Sequence, residues 1–517
     1  MRCAQAVAGE LTGVSQGRSW FDVLPHFNFL AFDIIGDLAF GAPFGMIAAQ
    51  KDVAPMLDPT TVGEKPEIKY VSAVRVLNDR GDYSASMGVL PAWCLAGMAV
   101  AAVEKRLKFG LPEEASDEDE GFEDGVLKRG RNDLLEKLMQ GKDENGEPMG
   151  REELTAEALQ QLIAGSDTTS NSSCAITYYL AANPACQRRL QAELDNNLPR
   201  VPSAHPPITQ SGAPPLPPPQ VAARFADIKS LPYLQACINE GLRLHSTSGV
   251  GLPRVIPPGL SLEIGGERFN EGTILSVPTY SVHHSEEVWG EDSELYRPER
   301  WLERDVGKEF NPFSYGPRAC VGRNLANMEM LLIIGSLFHR YEFELHKPEQ
   351  KLLTREGFLR KPLECKIIRI APNHISIADP KAIEPIYGHG SGMFKSDFYD
   401  AFVSIRASLF TTRDRAAHAR KRKVVSSVLS QQNVLQFEPL IRKHVRLLLA
   451  QWDLKCAKGQ EKNERAWFNV PPKLMPYPGF SFLAFGVTAD LTFGASFGMI
   501  EAQRDIAPML QLSESNT

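Results

Sequence analysis

The segment 313–322, which reads Phe-Ser-Tyr-Gly-Pro-Arg-Ala-Cys-Val-Gly, constrains this chain more than any other feature. It places Cys320 just before a run of helical apolar spacing at 324–334. The N-terminal amides of such a helix would stabilise the sulfur as a thiolate and lower its pKa. A free core cysteine after a glycine turn is the alternative, but a metal-binding thiolate fits the surrounding residues better.

The residues around Cys320 indicate which metal group it would hold. Gly316 and Gly322 would let the backbone approach a flat macrocycle. Arg318 offers a fork of donors for a carboxylate on that macrocycle, and Phe313 could shield the sulfur from water. The segment therefore predicts haem b, iron protoporphyrin IX, with Cys320 as the iron ligand.

Composition limits the remaining classes of protein. The chain has 517 residues, 43% of them hydrophobic, and can bury a large core. A formal net charge of -7 argues against a nucleic-acid partner. The eight cysteines form no close pairs, which suits reduced thiols in a cytosol-facing protein and offers neither a zinc site nor a disulfide framework.

The N-terminus lacks the basic-then-apolar order of a signal peptide, and no long uncharged apolar run follows it. We therefore expect no N-terminal membrane anchor. The nearest candidate for a spanning segment is 480–500, but Asp490 interrupts it, so a buried helix is expected there.

One stretch of the chain occurs twice. Residues 29–57 and 482–510 match without a gap at about two thirds of positions. The copies are too far apart for a solenoid, whose repeats adjoin. This arrangement indicates that two pieces were joined.

A long helix is predicted over 152–183, from its apolar spacing and the proline that follows. Its middle reads Ala-Gly-Ser-Asp-Thr-Thr from Ala164, and glycine followed by short hydroxyl residues would weaken the helix there and admit water or dioxygen. Asp167 and Thr168 could then relay protons. A loop with a helix cap is the simpler reading of the motif in isolation.

A second helical pattern, 231–245, is apolar around most of its circumference. Glu240 and Arg243 would lie on one face of it and need buried partners. Arg300 is the natural third member, because one carboxylate between two guanidiniums leaves few groups unpaired. We expect this trio to be structural.

These motifs together resemble the cytochrome P450 superfamily, whose cysteine loop, oxygen-activation motif and Glu-Arg-Arg lock they match. The resemblance implies a mainly α fold with a small β-sheet portion. It also implies that Arg254 and the pair His418 and Arg422 reach the haem propionates, with His418 replacing a usual tryptophan. Helix 411–429, which carries that pair, is strongly basic and would suit an acidic flavoprotein.

The order of the segments departs from the family. The cysteine loop normally lies near the C-terminus, whereas here 366–517 follows it and resembles a family N-terminus. We expect residues 1–364 to be a haem-binding core without its usual front, and 366–517 to supply first strands, the basic helix and the second copy of the repeat. The fold is then either fused from two incomplete copies or permuted, with the second block completing the same domain.

Within the superfamily, segments such as YGHGSGMFKSDFYDAFVSI and TREGFLRKPL resemble the fungal benzoate 4-monooxygenases. That resemblance implies insertion of one oxygen atom of O2 into a small aromatic acid, by para-hydroxylation of benzoate, with electrons from an NADPH-cytochrome reductase. It implies the endoplasmic reticulum membrane, or the cytoplasm if no anchor exists. Around Trp93 and Cys94 two family segments join directly, which predicts a shortened lid.

Two alternatives remain open. The duplication and the shortened lid also suit an inactive fused or mispredicted product without a competent haem pocket. A peroxygenase or isomerase of the same fold is disfavoured by the Asp167 and Thr168 pair.

Overall fold

The computed structural model describes the chain in ranges, and the statements below concern those residues. They are 14–15, 18–22, 24–40, 45–52, 54–57, 68–71, 100, 103, 107, 133–142, 146–199, 222–345, 351–352, 354–356, 360–361, 374–377, 379–403, 405–460 and 466–469.

Helices make up most of the described chain. They are α1 (Leu24–Phe40), α2 (Met46–Ala49), α3 (Leu134–Gln140), α4 (Arg151–Ala182), α5 (Pro184–Asn197), α6 (Phe225–Ile228), α7 (Pro232–His245), α8 (Thr279–His283), α9 (Glu286–Trp289), α10 (Arg300–Glu303), α11 (Arg323–Arg340), α12 (Ile383–Tyr387), α13 (Arg415–Val428), α14 (Gln431–Val434) and α15 (Glu438–Gln460). Short 3₁₀ turns occupy Gly316–Arg318, Pro380–Ala382, Asp397–Phe402 and Leu435–Phe437.

The strands are short and form small sheets. They are β1 (Val14–Ser15), β2 (Arg18–Asp22), β3 (Ala54–Leu57), β4 (Ile68–Val71), β5 (Arg254–Val255), β6 (Leu262–Ile264), β7 (Glu267–Phe269), β8 (Ile274–Ser276), β9 (Arg355–Glu356), β10 (Arg360–Lys361), β11 (His374–Ser376), β12 (Phe394–Lys395) and β13 (Ala466–Asn469). The largest sheet has the order β11-β8-β5-β12, in which β11 runs parallel to β8 and the other pairs are antiparallel.

Helix α4 lies at the centre of the helical part, packed against α1, α7 and α11. Neighbours on several sides leave most of α4 buried beyond its first turn. Helix α15 packs in turn against α1 and α11. One continuous apolar core therefore includes side chains from early and late parts of the chain, from Phe27 to Trp452.

The predicted fold class, mainly α with a small β portion, is confirmed. The long helix expected at 152–183 is α4, that at 231–245 is α7, and the basic helix at 411–429 is α13. Within the described residues, no helix is both long enough and apolar enough to span a bilayer. The expectations for 480–500, for the second copy of the repeat and for the junction at Trp93 and Cys94 fall outside the described residues.

Candidate active site

A cavity of about 340 Å³ opens over Cys320, between the middle of α4, the cysteine loop and a wall built from residues 395–422. Its lining is mostly apolar, with Phe313, Leu325, Phe402 and Phe410 among the contributors. Several residues singled out from the sequence share this lining: Asp167, Thr168, Phe313, Arg318, Cys320, Gly322, His418 and Arg422. Arg254 and Gly316 are not in it.

Cys320 is held by the backbone of its own loop, because its N–H donates to the carbonyl of Phe313 at 2.8 Å. Cys320 is exposed and lines the cavity, while the surrounding protein still desolvates its thiolate. Burial raises the pKa of the thiol, while the N–H groups of Gly322 and Arg323 and the guanidinium of Arg422 act to lower it. The net direction is opposite to the one expected from the helix N-terminus, since desolvation of the thiolate outweighs those donors.

The two glycines of the loop differ in role. Gly316 has a φ of 71°, and a Cβ there would lie 1.8 Å from the carbonyl oxygen of Tyr387, so only glycine fits against the end of α12. Gly322 caps α11 and faces the cavity, where a Cβ would come no closer than 3.9 Å to the Cys320 sulfur. The close approach to a flat ring stays a prediction for Gly322, whereas Gly316 packs against the protein backbone at Tyr387.

Asp167 and Thr168 lie on the cavity face of α4, as expected from their motif. The helix nevertheless runs unbroken through them, and the Thr168 hydroxyl donates to the carbonyl of Ala164 at 2.7 Å. A Cβ at Gly165 would lie 2.7 Å from the Ile35 side chain of α1. This glycine therefore permits close packing of α1 on α4, and the expected local weakening of the helix is not seen.

Sequence reasoning missed Glu329, a buried residue of α11 on the cavity wall. Its carboxyl accepts a hydrogen bond from the Thr169 hydroxyl at 3.1 Å, which joins α11 to the oxygen-activation motif of α4. Burial raises the pKa of Glu329 to about 8, and the Thr169 hydroxyl opposes this only in part. In the sequence, the only sign of a buried Glu329 is that it is a single acidic residue inside an apolar helical run.

A group of cations lies at one side of the cavity, formed by Arg318, Lys395 and Arg422 beside His418. Arg422 donates to the carbonyl of Ala319 at 2.6 Å and Arg318 to that of Thr412 at 3.2 Å, so both guanidiniums are anchored to the backbone. Burial and the neighbouring cations lower the pKa of Arg318 to about 10 and that of His418 to about 2.

Lys395 was also missed from the sequence. It is 4% exposed, donates to the carbonyls of Leu409 and Phe410, and stands opposite Arg254 on the paired strand β5. Like charges directly opposite each other across a strand pair destabilise it. Burial, followed by the charges of Arg318 and Arg254, lowers the pKa of Lys395 to about 6.

Arg254 is buried behind this wall. Its guanidinium donates to the Tyr399 hydroxyl at 2.6 Å and to the carbonyl of Pro253 at 3.0 Å, and it packs over the ring of Tyr387. Lys395 therefore lines the cavity, whereas Arg254 does not, and the contact of Arg254 with a haem propionate stays a prediction.

Glu240, Arg243 and Arg300 meet in full burial. The Glu240 carboxylate accepts from Arg243 Nε at 3.0 Å and Nη2 at 2.9 Å, and from Arg300 Nε at 2.9 Å. Trp301 Nε1 donates to it at 2.9 Å and the Arg297 N–H at 3.0 Å. A carboxylate with five donors is held in one position, which suits a structural role.

These residues fit a haem. Within the described ranges there is no cluster of three metal-binding side chains, so a metal held by Cys320 would have to bring its other ligands with it, as a macrocycle does. The cations beside the cavity repel one another, and the two propionates of a haem would supply negative charge there.

Comparison with known proteins agrees with this geometry. The sequence profile of the cytochrome P450 family matches residues 2–369. Benzoate 4-monooxygenase bphA of Aspergillus niger is 45% identical over 379 residues, which cover 68% of this chain and 66% of that protein. Pisatin demethylase of Fusarium vanettenii is 31% identical over 338 residues, 62% of this chain and 58% of that protein.

A third relative, the cytochrome P450 monooxygenase ACRTS1 of Alternaria alternata, is 26% identical over 377 residues, 70% of this chain and 91% of that protein. This chain spans about two thirds, 66%, of the length of the benzoate 4-monooxygenase. Because the family profile covers well over half of the sequence, the chain belongs to the cytochrome P450 family.

Proposed function

We propose that the protein is a haem-thiolate monooxygenase that inserts one oxygen atom of O2 into a small aromatic acid. The observation that carries the proposal is the convergence of Cys320, the Asp167 and Thr168 pair and the cation group on one cavity. Membership of the cytochrome P450 family supports it independently.

Each part of the site has a task in this proposal. Cys320 binds the iron, Phe313 and the apolar lining exclude water, and Arg318, Lys395, His418 and Arg422 hold the propionates. Arg254 supports this wall from behind through Tyr399. The bound haem supplies dioxygen activation, which a thiolate ligand favours.

The α4 residues handle protons. Thr168 presents its hydroxyl to the cavity with its own proton donated to Ala164, so its oxygen would accept a hydrogen bond from a water in the cavity. Asp167 adjoins Thr168 on the same cavity wall and would pass protons between the cavity and the protein interior. The trio of Glu240, Arg243 and Arg300 has a structural role.

The substrate we propose is benzoate, hydroxylated para to its carboxylate. The support is the 45% identity to a protein named benzoate 4-monooxygenase, together with an apolar cavity that suits an aromatic ring. Pisatin demethylase, a relative at 31% identity, is named for a different reaction, so identity at that level does not define the substrate.

The electron donor we propose is an NADPH-cytochrome reductase at the endoplasmic reticulum. Its docking surface would be the exposed basic side of α13 and the residues before it, Arg413, Arg415, Arg420 and Lys423. An acidic flavoprotein would be steered to this surface, and its association would weaken with salt.

The test is turnover. The chain loaded with haem, combined with a fungal NADPH reductase and benzoate, should yield 4-hydroxybenzoate by chromatography, and Cys320→Ala should not. Haem incorporation without product from any small aromatic acid would refute the proposed substrate class. Turnover with peroxide alone, and none with the reductase, would favour a peroxygenase. Failure to bind haem would favour an inactive fused product.

A further inference from the structure

We infer that the chain completes its own haem cavity as a circular permutant. The block 374–460 docks on the described residues of 24–345 in the same molecule. Of the two copies of the repeat, the first, 29–57, packs in this core, and the second, 482–510, lacks a carboxylate that the first copy uses there. The haem readout of this inference rests on the proposed function, whereas the docking itself does not.

The two blocks share a buried polar contact far from the cavity. His444 Nε2 of α15 lies 2.8 Å from Asp37 Oδ2 of α1, and both side chains are at most 1% exposed. Nearby, the Tyr341 hydroxyl donates to the carbonyl of Leu449 at 3.1 Å. Buried polar groups cost free energy unless they are paired, so these contacts specify one docked arrangement.

Apolar packing around Trp452 is a second part of this interface. The indole is 1% exposed and meets the rings of His26 and Phe27 from α1 and of Tyr341 and Phe343 after α11. Truncation of a buried Trp side chain in a core is among the most destabilising of single substitutions. The interface therefore has the character of a domain core.

The cavity wall itself is shared between the blocks. The Leu409 N–H donates to Glu157 Oε1 of α4 at 2.7 Å, and the Ser408 hydroxyl donates to Gln160 at 3.0 Å. Lys421 of α13 forms an ion pair with Glu153 on the first turn of α4. These contacts hold the wall segment 405–422 over the cavity.

The cysteine loop also depends on both blocks. Arg422 binds the carbonyl of Ala319, the residue before Cys320, and the Asn324 amide donates to the carbonyl of Leu429 at 3.2 Å. The main sheet interleaves the blocks in the same way, since β11 and β12 from the second block pair with β8 and β5 from the first. The first block alone would lack a wall of the cavity and two strands of this sheet.

The two copies of the repeat are not equivalent in this position. Asp33 of the first copy accepts from the N–H groups of Gly45, Met46 and Ile47 at 2.8, 3.2 and 2.9 Å, which caps α2. The residue at the corresponding position of the second copy is Gly486. The second copy keeps the counterpart of Asp37, Asp490, but cannot form the cap.

The experiment cuts the folded chain. A protease-recognition sequence inserted after Cys365 of the full-length protein allows cleavage after purification, followed by sizing with light scattering. We expect both pieces to stay together at the mass of one chain, 57.2 kDa plus the insert, and to retain bound haem. Separation of the pieces, or a particle of twice that mass before cleavage, would overturn docking within one molecule.

Two substitutions test the Trp452 contact, and a deletion tests which copy of the repeat is packed in the core. Trp452→Ala should release the pieces after cleavage, while Leu435→Ala, at a leucine of the same block that is 43% exposed, should not. Deletion of 482–517 should leave the assembly and the haem spectrum unchanged, and loss of both on that deletion would show that the second copy is the seated one. Pieces that stay together without haem would uphold the docking and refute the proposed function.

Discussion

Replacement of Glu240 by glutamine should destabilise the protein far more than its small change in shape suggests. The amide nitrogen would occupy the place of one carboxylate oxygen and face donors, either Arg243 Nε and Trp301 Nε1 or Arg243 Nη2, Arg300 Nε and the Arg297 N–H. At least two charge-assisted hydrogen bonds, each worth about 1.5 to 3 kcal/mol, would be lost. Two buried guanidiniums would also keep their charge without the shared carboxylate. We therefore expect a loss of about 3 to 5 kcal/mol in the free energy of unfolding.

Urea unfolding followed by tryptophan fluorescence measures this loss. Glu303→Gln is the matched control, because Glu303 pairs with Arg297 at 2.9 Å but its side chain is 54% exposed. Such a surface pair contributes about 0 to 1 kcal/mol. A loss for Glu240→Gln as small as that of the control would refute the view that the trio has a structural role.

Three further predictions concern the cavity. Lys395, whose pKa lies at about 6 in the protein alone, should gain a proton when the propionates arrive, so haem binding near neutral pH should take up about one proton more in the parent than in Lys395→Met, beside the proton that the Cys320 thiol releases in both. Calorimetry in two buffers of different ionisation enthalpy measures that uptake, and equal uptake by Lys395→Met would contradict it. Glu329 has a folded pKa of about 8, above its ordinary value of 4.5, so the native state binds more protons between those values and stability contributed by this group falls as pH rises through them. Urea midpoints of Glu329→Gln should fall less with pH over that window than those of the parent, and parallel slopes would count against it. Thr168→Ala should uncouple the enzyme, with NADPH consumed and peroxide released in place of product, and tight coupling would remove Thr168 from the proton relay.

Much of the helical fold could be predicted because its signals are local. Periodicity and a following proline define α4, and the charged pair on an otherwise apolar pattern indicated that α7 is buried with Arg300 as partner. The residues around Cys320 were recognisable for the same reason, since one short segment carries them.

The features that were missed depend on distant parts of the chain. Lys395 and Arg254 are neighbours only because β12 pairs with β5, and no spacing along the chain indicates that one faces the cavity and the other Tyr399. Gly165 was interpreted as a weak point of a helix, whereas the approach of Ile35 explains it. The direction of the Cys320 pKa depends on the depth of the sulfur, which the sequence does not express.

The carbon monoxide difference spectrum of the dithionite-reduced, full-length chain tests the central claim most directly. It should be recorded on the fraction that sizing identifies as a single chain. A strongly red-shifted Soret band there, absent in Cys320→Ala, is the predicted result and means that Cys320 binds haem as a thiolate in a cavity completed by its own chain. No haem in that fraction, or a band without the shift, would contradict both the thiolate assignment and the assembled pocket.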